Sequence, residues 1–236
     1  MTVPAPTGRR RGPSPAAVTT AMVATVVLVV VTLVHLVAQL TGPAILREVT
    51  QPLILPPLLL AVLALTPAPR SRTTSWALAA LALSWGGDLV PRFLDVGGFE
   101  AMLVLFLLAH VCWLIALWPR RRSTPVWSSP ALVLPFLGYG VVLVILCAQG
   151  AGSLLPAVVA YAAAIIGTAL LAPALGTAAA VGALVYIVSD SLLALRTFAG
   201  LDLPGHGMWV MATYVAAQVL LAAGVVRVQG RERAGR

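Results

Sequence analysis

The sequence predicts an all-α membrane protein with eight transmembrane helices. Of its 236 residues, 60% are hydrophobic and only 9% are charged, and the mean hydropathy is +1.00. Long apolar segments recur along the chain, and arginines gather in the short connections between them. A water-soluble domain of this length cannot cover its surface with so few polar residues. The composition therefore excludes a soluble protein and leaves no room for a separate soluble domain.

The apolar segments give the predicted order of helices. They fall at residues 16–40, 49–66, 74–93, 99–118, 129–148, 154–172, 175–197 and 207–228. Each is close to the ~20 residues that cross a hydrocarbon core of ~30 Å. The second segment is the shortest and contains Pro52, Pro56 and Pro57, so we predict that it is kinked near its start. We count eight helices, with seven or nine as the range of error.

The domain organisation follows from these segments. Residues 1–15 are rich in Pro, Gly, Ser and Arg and are predicted to form a disordered basic tail. The first apolar segment is longer than the ~7–15 apolar residues of a signal peptide, so we expect it to be retained as a helix. Residues 16–228 then form a single transmembrane domain, and residues 229–236 form a basic C-terminal tail.

The distribution of arginine predicts the orientation. With eight helices, both tails and three of the connections share one side, which holds twelve arginines, and the other side holds only Arg47, Arg92 and Arg196. Positively charged connections stay in the cytoplasm, so both termini are predicted to be cytoplasmic. Because orientation explains the arginines, the net charge of +8 is no evidence for a nucleic-acid partner, and we expect none.

Two aspartates within apolar segments are the main candidates for function. Asp88 ends the stretch Ser84-Trp85-Gly86-Gly87-Asp88, and Asp190 lies about a hundred residues later. A charged side chain at the bilayer centre costs at least ~2.5–3.5 kcal/mol, so such a residue is by default a functional candidate. In the predicted orientation, both aspartates lie about 20 Å from the cytoplasmic side at ~1.5 Å per residue. His110 and Gln218 reach the same layer if their helices are neighbours.

Adjacent carboxyl groups do not readily both ionise, so a pair holds one proton ready for donation. The sequence thus indicates a carboxyl pair around a polar cavity, oriented by His110 and Gln218. The alternative is that each aspartate is only a hydrogen-bonded group inside the bundle, paired with Arg92 or Arg196. Each aspartate also follows an aromatic and a small residue in the third helix of a half of four, which hints at a 4+4 parallel repeat.

Other kinds of site leave no trace in the sequence. There is no nucleotide-binding loop, no metal-ligand spacing and no Ser-His-Asp arrangement, and the His and Cys residues are too scattered for a zinc site. We therefore expect no metal and no cofactor.

Several segments together carry a resemblance to a known family. They are Gln51-Pro52-Leu53, Gly87-Asp88, Phe106-Leu107-Leu108-Ala109-His110, Pro156, Tyr161, Gly182-Ala183, Ser189-Asp190, Leu193-Ala194, Phe198, Tyr214 and Gln218. In this order and spacing, over roughly residues 45–225, the chain resembles the YhhN-type lysoplasmalogenase family of eight-helix membrane proteins. Gln51 stands where that family usually has a lysine able to bind phosphate, and Met102 stands where it often has glycine.

The resemblance implies a cofactor-free hydrolase that cleaves the vinyl-ether bond of lysoplasmalogen into a fatty aldehyde and a glycerophospho head group. It implies Asp88 and Asp190 as the catalytic residues. Five further matched residues are expected to bind or orient the substrate: His110, Gln218, Ser189, Tyr214 and Gln51. The implied chemistry is protonation of the alkenyl β-carbon, addition of water to the resulting oxocarbenium ion, and collapse of the hemiacetal.

The expected partners are a lysophospholipid substrate and membrane lipids, and the expected location is the cell membrane, as a multi-pass protein of a bacterial inner or plasma membrane. Two other functions remain open at this point. Paired intramembrane acids with a histidine also suit a proton-coupled transporter of lipids or small molecules. A non-catalytic lipid-binding protein is the other alternative. An intramembrane aspartyl protease is disfavoured, because Gly86-Gly87-Asp88 lacks the Gly-x-Gly-Asp spacing.

Overall fold

The computed structural model describes residues 12–235, so most of the predicted N-terminal tail lies outside the described residues. Within this part, the chain is all-helical and has no strand. Its α-helices are α1 (Pro15–Thr41), α2 (Ala44–Thr50), α3 (Leu55–Leu65), α4 (Arg72–Leu89), α5 (Gly98–Leu117), α6 (Pro125–Ser128), α7 (Val133–Ala151), α8 (Leu155–Leu171), α9 (Thr177–Ala199) and α10 (His206–Ala234). Short 3₁₀ turns extend or join several of them.

Six to eight of these helices are apolar enough to identify a polytopic membrane protein. By length and composition, six segments qualify as membrane spans, one of which runs over Pro130–Leu175 and contains both α7 and α8. The outward face of α1 is apolar, with Met22 65% exposed and Val26 62% exposed, as expected for a surface that lipid chains cover. The number of crossings, the side on which the termini lie and the internal repeat stay predictions.

The predicted irregularity of the second span is confirmed. Instead of one helix, the chain forms α2, a 3₁₀ turn over Gln51–Leu53, and α3. Pro52 lies in that turn, and Pro56 and Pro57 lie in the first turn of α3, where a missing backbone N–H leaves no helical carbonyl unpaired. This span begins at Ala44, earlier than the sequence predicts, and the half-buried Gln51 in its break reaches Asp88.

The C-terminal segment 229–234 continues α10 rather than leaving it. Gln229 Oε1 accepts hydrogen bonds from Ser71 N at 3.0 Å and from Thr74 Oγ1 at 2.7 Å, which ties α10 to the start of α4. One turn later, Glu232 is paired with Arg120 in the connection after α5. These contacts explain why the basic end of the chain is helical as far as the structure describes it.

Five helices enclose a common interior. α4 packs on α5, α5 on α8, α8 on α9, α9 on α10 and α10 on α4. α1 and α3 pack together beside α4 and α10, and α7 covers α8 and α9. Each of these five helices supplies at least one residue of functional interest: Asp88, His110, Tyr161, Asp190 and Gln218.

The contact between α9 and α10 depends on a glycine. A Cβ at Gly182 would lie 2.7 Å from Leu220 Cβ and 3.1 Å from the backbone oxygen of Ala217. No side chain fits there unless the two helices separate, so Gly182 allows the close approach that brings the polar residues of α9 and α10 together.

We expect Gly182→Ala to destabilise the protein by about 1–3 kcal/mol, the usual cost of overpacking a tight contact. The measurement is the midpoint of thermal unfolding of the purified protein in detergent. Gly138→Ala is the matched control, because Gly138 is also helical and a Cβ there meets no atom within 4 Å. Equal midpoints for the two variants would contradict the proposed role of Gly182.

Candidate active site

Asp88 is buried, and each of its two carboxyl oxygens accepts a hydrogen bond. It lies in the last turn of α4 and is 3% exposed. Its Oδ1 accepts from Gln51 Nε2 at 2.8 Å, and its Oδ2 accepts from Tyr214 OH at 2.9 Å. A buried carboxylate without such partners would be strongly destabilising. The broken second span and α10 therefore supply the hydrogen-bond donors that α4 itself cannot offer to Asp88.

Arg92 orients the amide that holds Asp88. It follows α4 in a 3₁₀ turn, and its Nη2 donates to Gln51 Oε1 at 3.0 Å. Its Nε donates to the backbone oxygen of Glu48 at 2.8 Å, and its Nη1 donates to the backbone oxygen of Asp88. Because Arg92 is a donor only, it identifies the Gln51 oxygen and directs the amide nitrogen toward Asp88.

Asp190 has a different environment in the middle of α9. Its Oδ2 accepts from Tyr161 OH of α8 at 2.6 Å and lies 3.6 Å from His110 Nε2 of α5. The Asp190 side chain is 15% exposed, whereas that of His110 is buried. Within residues 12–235, the structure gives Asp190 Oδ1 no hydrogen-bond partner. Asp190 is thus held by the bundle through Oδ2, while its side chain stays partly exposed.

A row of aromatic rings separates the two aspartates. His110 packs on Tyr186 with 4.7 Å between ring centroids, and Tyr186 packs on Tyr214 at 5.8 Å. Tyr214 is the donor to Asp88, and His110 is the neighbour of Asp190. Gln218 Nε2 donates to Tyr186 OH at 3.2 Å and so belongs to the same row. Among the described residues, the two carboxylates share no hydrogen-bond partner and are linked only through this row.

An apolar cleft opens beside Asp190 between α5, α7, α8 and α9. Its lining is almost entirely hydrocarbon, with Asp190 as its only carboxylate among the described residues. Phe99 and Phe198 lie at one end of the cleft, with ring centroids 5.7 Å apart. Asp88 is not part of the lining. The cleft therefore offers an aliphatic chain an apolar surface that carries a single carboxyl, that of Asp190.

Gly87 permits the packing of one wall of this cleft. A Cβ at Gly87 would lie 2.7 Å from the ring of Phe106. Phe106 lines the cleft and also contacts Tyr214, with 5.7 Å between ring centroids. The glycine next to Asp88 therefore provides room for a close contact between helices.

The predicted residues fall into one connected set with a single exception. His110, Gln218, Tyr214 and Gln51 each contact an aspartate or the aromatic row between them. Ser189 does not, because its hydroxyl donates to the backbone oxygen of Val210 at 3.0 Å and joins α9 to α10.

Sequence reasoning gave no role to Tyr161, Tyr186 or Thr168. A signal for the tyrosines was present, since all four tyrosines of the chain lie within apolar segments, where a phenol needs a partner. Tyr139, the fourth, forms a hydrogen bond with Ser191 in the wall of the cleft.

Comparison with known proteins gives one match. No curated protein and no solved structure matches the chain. The model of the YhhN family matches residues 46–225, a range that includes both aspartates, the aromatic row and the whole lining of the cleft. The chain therefore belongs to the YhhN family.

Proposed function

We propose that the protein is a membrane hydrolase that cleaves the vinyl-ether bond of a lysoplasmalogen, releasing a fatty aldehyde and a glycerophospho head group. Membership of the YhhN family supports a lysoplasmalogenase-type reaction at the level of the family. The observation that carries the proposal is the position of Asp190, a partly exposed carboxyl in the wall of an apolar cleft inside a membrane protein. The proposed location is the cell membrane of a bacterium.

The reaction requires an acid and a water molecule, and the chain offers groups for both tasks. Asp190 donates a proton to the β-carbon of the alkenyl group, and the adjacent carbon becomes an oxocarbenium ion. Water adds to that carbon, and the hemiacetal breaks down to aldehyde and alcohol. Low dielectric strengthens the attraction between the cation and a carboxylate, so a nearby negative charge stabilises this step.

Asp88 contributes to the site from behind the aromatic row. Gln51 and Tyr214 occupy its two oxygens, and Arg92 fixes Gln51. We assign Asp88 the role of fixed negative charge, which acts on the cationic intermediate through the field and orders Tyr214 and Tyr186.

The experiment that tests the proposed function is aldehyde release by the purified protein from matched alkenyl, alkyl and acyl lysophospholipids. We expect release from the alkenyl lipid alone, because only a vinyl ether gives an oxocarbenium ion on protonation. Absence of aldehyde from every alkenyl lipid, whatever its head group, would contradict the proposal and favour a carrier or a lipid-binding protein.

Asp88→Asn and Asp190→Asn are each expected to lower the rate of aldehyde release by at least about 10²-fold, the lower end of what a positioned acid or base contributes. Asp95→Asn is the matched control, because Asp95 is an exposed acid in the connection after α4 and should keep the full rate. Expression and the unfolding midpoint are measured for all three variants. Full activity of Asp190→Asn would contradict the proposed donation of a proton by Asp190.

Narrowing the cleft is expected to alter chain-length selectivity. Met102 lines the cleft from α5, so Met102→Trp should raise KM for long-chain alkenyl lipids about tenfold or more while short chains are affected less, since each excluded methylene forfeits about 0.8 kcal/mol of burial. Val104→Trp on the same helix is the control, because Val104 is 51% exposed and lies outside the cleft. An equal effect of both variants on all chain lengths would show that the chain binds elsewhere.

A further inference from the structure

The hydrogen bonds of Thr168 define the protonation of His110. Thr168 Oγ1 lies 2.9 Å from the backbone oxygen of Ala164, to which it donates its single hydroxyl hydrogen. The same Oγ1 lies 3.3 Å from His110 Nδ1. A hydroxyl whose hydrogen is already used can only accept, so His110 Nδ1 carries a proton and donates it to Thr168.

With its proton on Nδ1, the neutral His110 ring places an acceptor, Nε2, opposite a second acceptor, Asp190 Oδ2. His110 Nε2 is buried without a hydrogen-bond partner and lies 3.6 Å from Asp190 Oδ2. In a neutral imidazole with its proton on Nδ1, Nε2 is an acceptor, and a carboxylate oxygen is an acceptor as well. Two buried acceptors facing each other are unfavourable, and a proton on either atom converts the contact into an attraction.

The groups around His110 offer this proton no site other than His110 Nε2 and Asp190 Oδ2. Tyr161 and Thr168 face the ring from α8, and Tyr186 and Asp190 face it from α9. Tyr161 already donates to Asp190 Oδ2. From α4 and α10, Asp88 and Tyr214 reach His110 only through Tyr186. Among the described residues, Asp190 is thus the one charged group in contact with His110.

We propose that His110 and Asp190 together hold one proton between Nε2 and Oδ2, and that Thr168 is the positioning residue that keeps it there. Its use as the catalytic proton rests on the proposed function, but its presence does not.

In the reaction, Asp190 transfers the proton to the β-carbon as the alkenyl π electrons form the new C–H bond, and the His110–Asp190 pair is left with one proton fewer. The water that adds to the oxocarbenium ion returns a proton to the pair. The hemiacetal hydroxyl proton passes to the departing alcohol oxygen, so no net proton is consumed.

The test is nitrogen NMR of the full-length protein in lipid nanodiscs, labelled with ¹⁵N histidine. His110→Gln identifies the His110 signals among those of the three histidines. Infrared spectra of the wild type and Asp190→Asn report whether Asp190 carries a carboxylic proton. We expect Nδ1 of His110 to be protonated at neutral pH, together with a proton either on Nε2 or on Asp190. A bare Nδ1, or a bare Nε2 beside an ionised Asp190, would overturn the proposal.

Thr168→Val removes the acceptor at nearly constant volume, and Thr168→Ser retains it. We expect the valine variant to move the His110 proton from Nδ1 to Nε2 and to lower kcat for the alkenyl lipid about 10- to 100-fold, as loss of an orienting partner does elsewhere, with KM unchanged. The serine variant should restore the wild-type nitrogen spectrum and most of the rate. Thr25→Val is the control for losing a helical threonine, because Thr25 donates only within α1.

The outcomes separate this proposal from the proposed function. A wild-type protein with the expected nitrogen spectrum but no aldehyde release would refute the proposed reaction. The proposal that His110 and Asp190 share a proton would still stand. An active wild type whose Thr168→Val variant loses the Nδ1 proton without losing rate would refute the catalytic use of the proton and keep the reaction.

Discussion

Burial of a carboxylate among apolar helices imposes a requirement that shapes the interior of this protein. Each aspartate must find donors that its own helix does not offer, since helical N–H groups are already bonded. Asp88 obtains them from Gln51 and Tyr214, and Asp190 obtains one from Tyr161. The proline-containing break of the second span and the close contact at Gly182 both bring such donors into place.

The need for donors is met differently at the two aspartates, so their exposure and their hydrogen-bond partners differ. Asp88 is fully enclosed, both of its oxygens accept hydrogen bonds, and Arg92 holds one of the donors. Asp190 accepts a hydrogen bond on Oδ2, and its partly exposed side chain lines the apolar cleft. In our account, the accessible carboxyl with its histidine carries out proton transfer, and the enclosed carboxyl supplies a fixed charge. A site built in this way differs from two equivalent carboxyls facing one substrate atom.

Much of this arrangement was predictable from the sequence. Hydropathy predicts the helical segments, the prolines predict the break beside Gln51, and the cost of burial points to Asp88 and Asp190. Hydropathy does not predict how far each helix is rotated about its axis, and rotation decides which polar atoms meet. The contact of Ser189 with Val210, the partners of Tyr161 and Tyr186 and the role of Thr168 depend on that rotation. The helical continuation at Gln229 depends likewise on bonds to distant residues.

The central claim is that the protein protonates a carbon atom of its substrate. Hydrolysis of an alkenyl lysophospholipid in D₂O, with immediate reduction of the aldehyde to prevent exchange, measures this step directly by mass spectrometry. The account predicts one deuterium per molecule on the carbon next to the former carbonyl, placed on one face because Asp190 is fixed on one side of the cleft. An alcohol product without deuterium at that carbon would contradict protonation at carbon and with it the proposed role of Asp190.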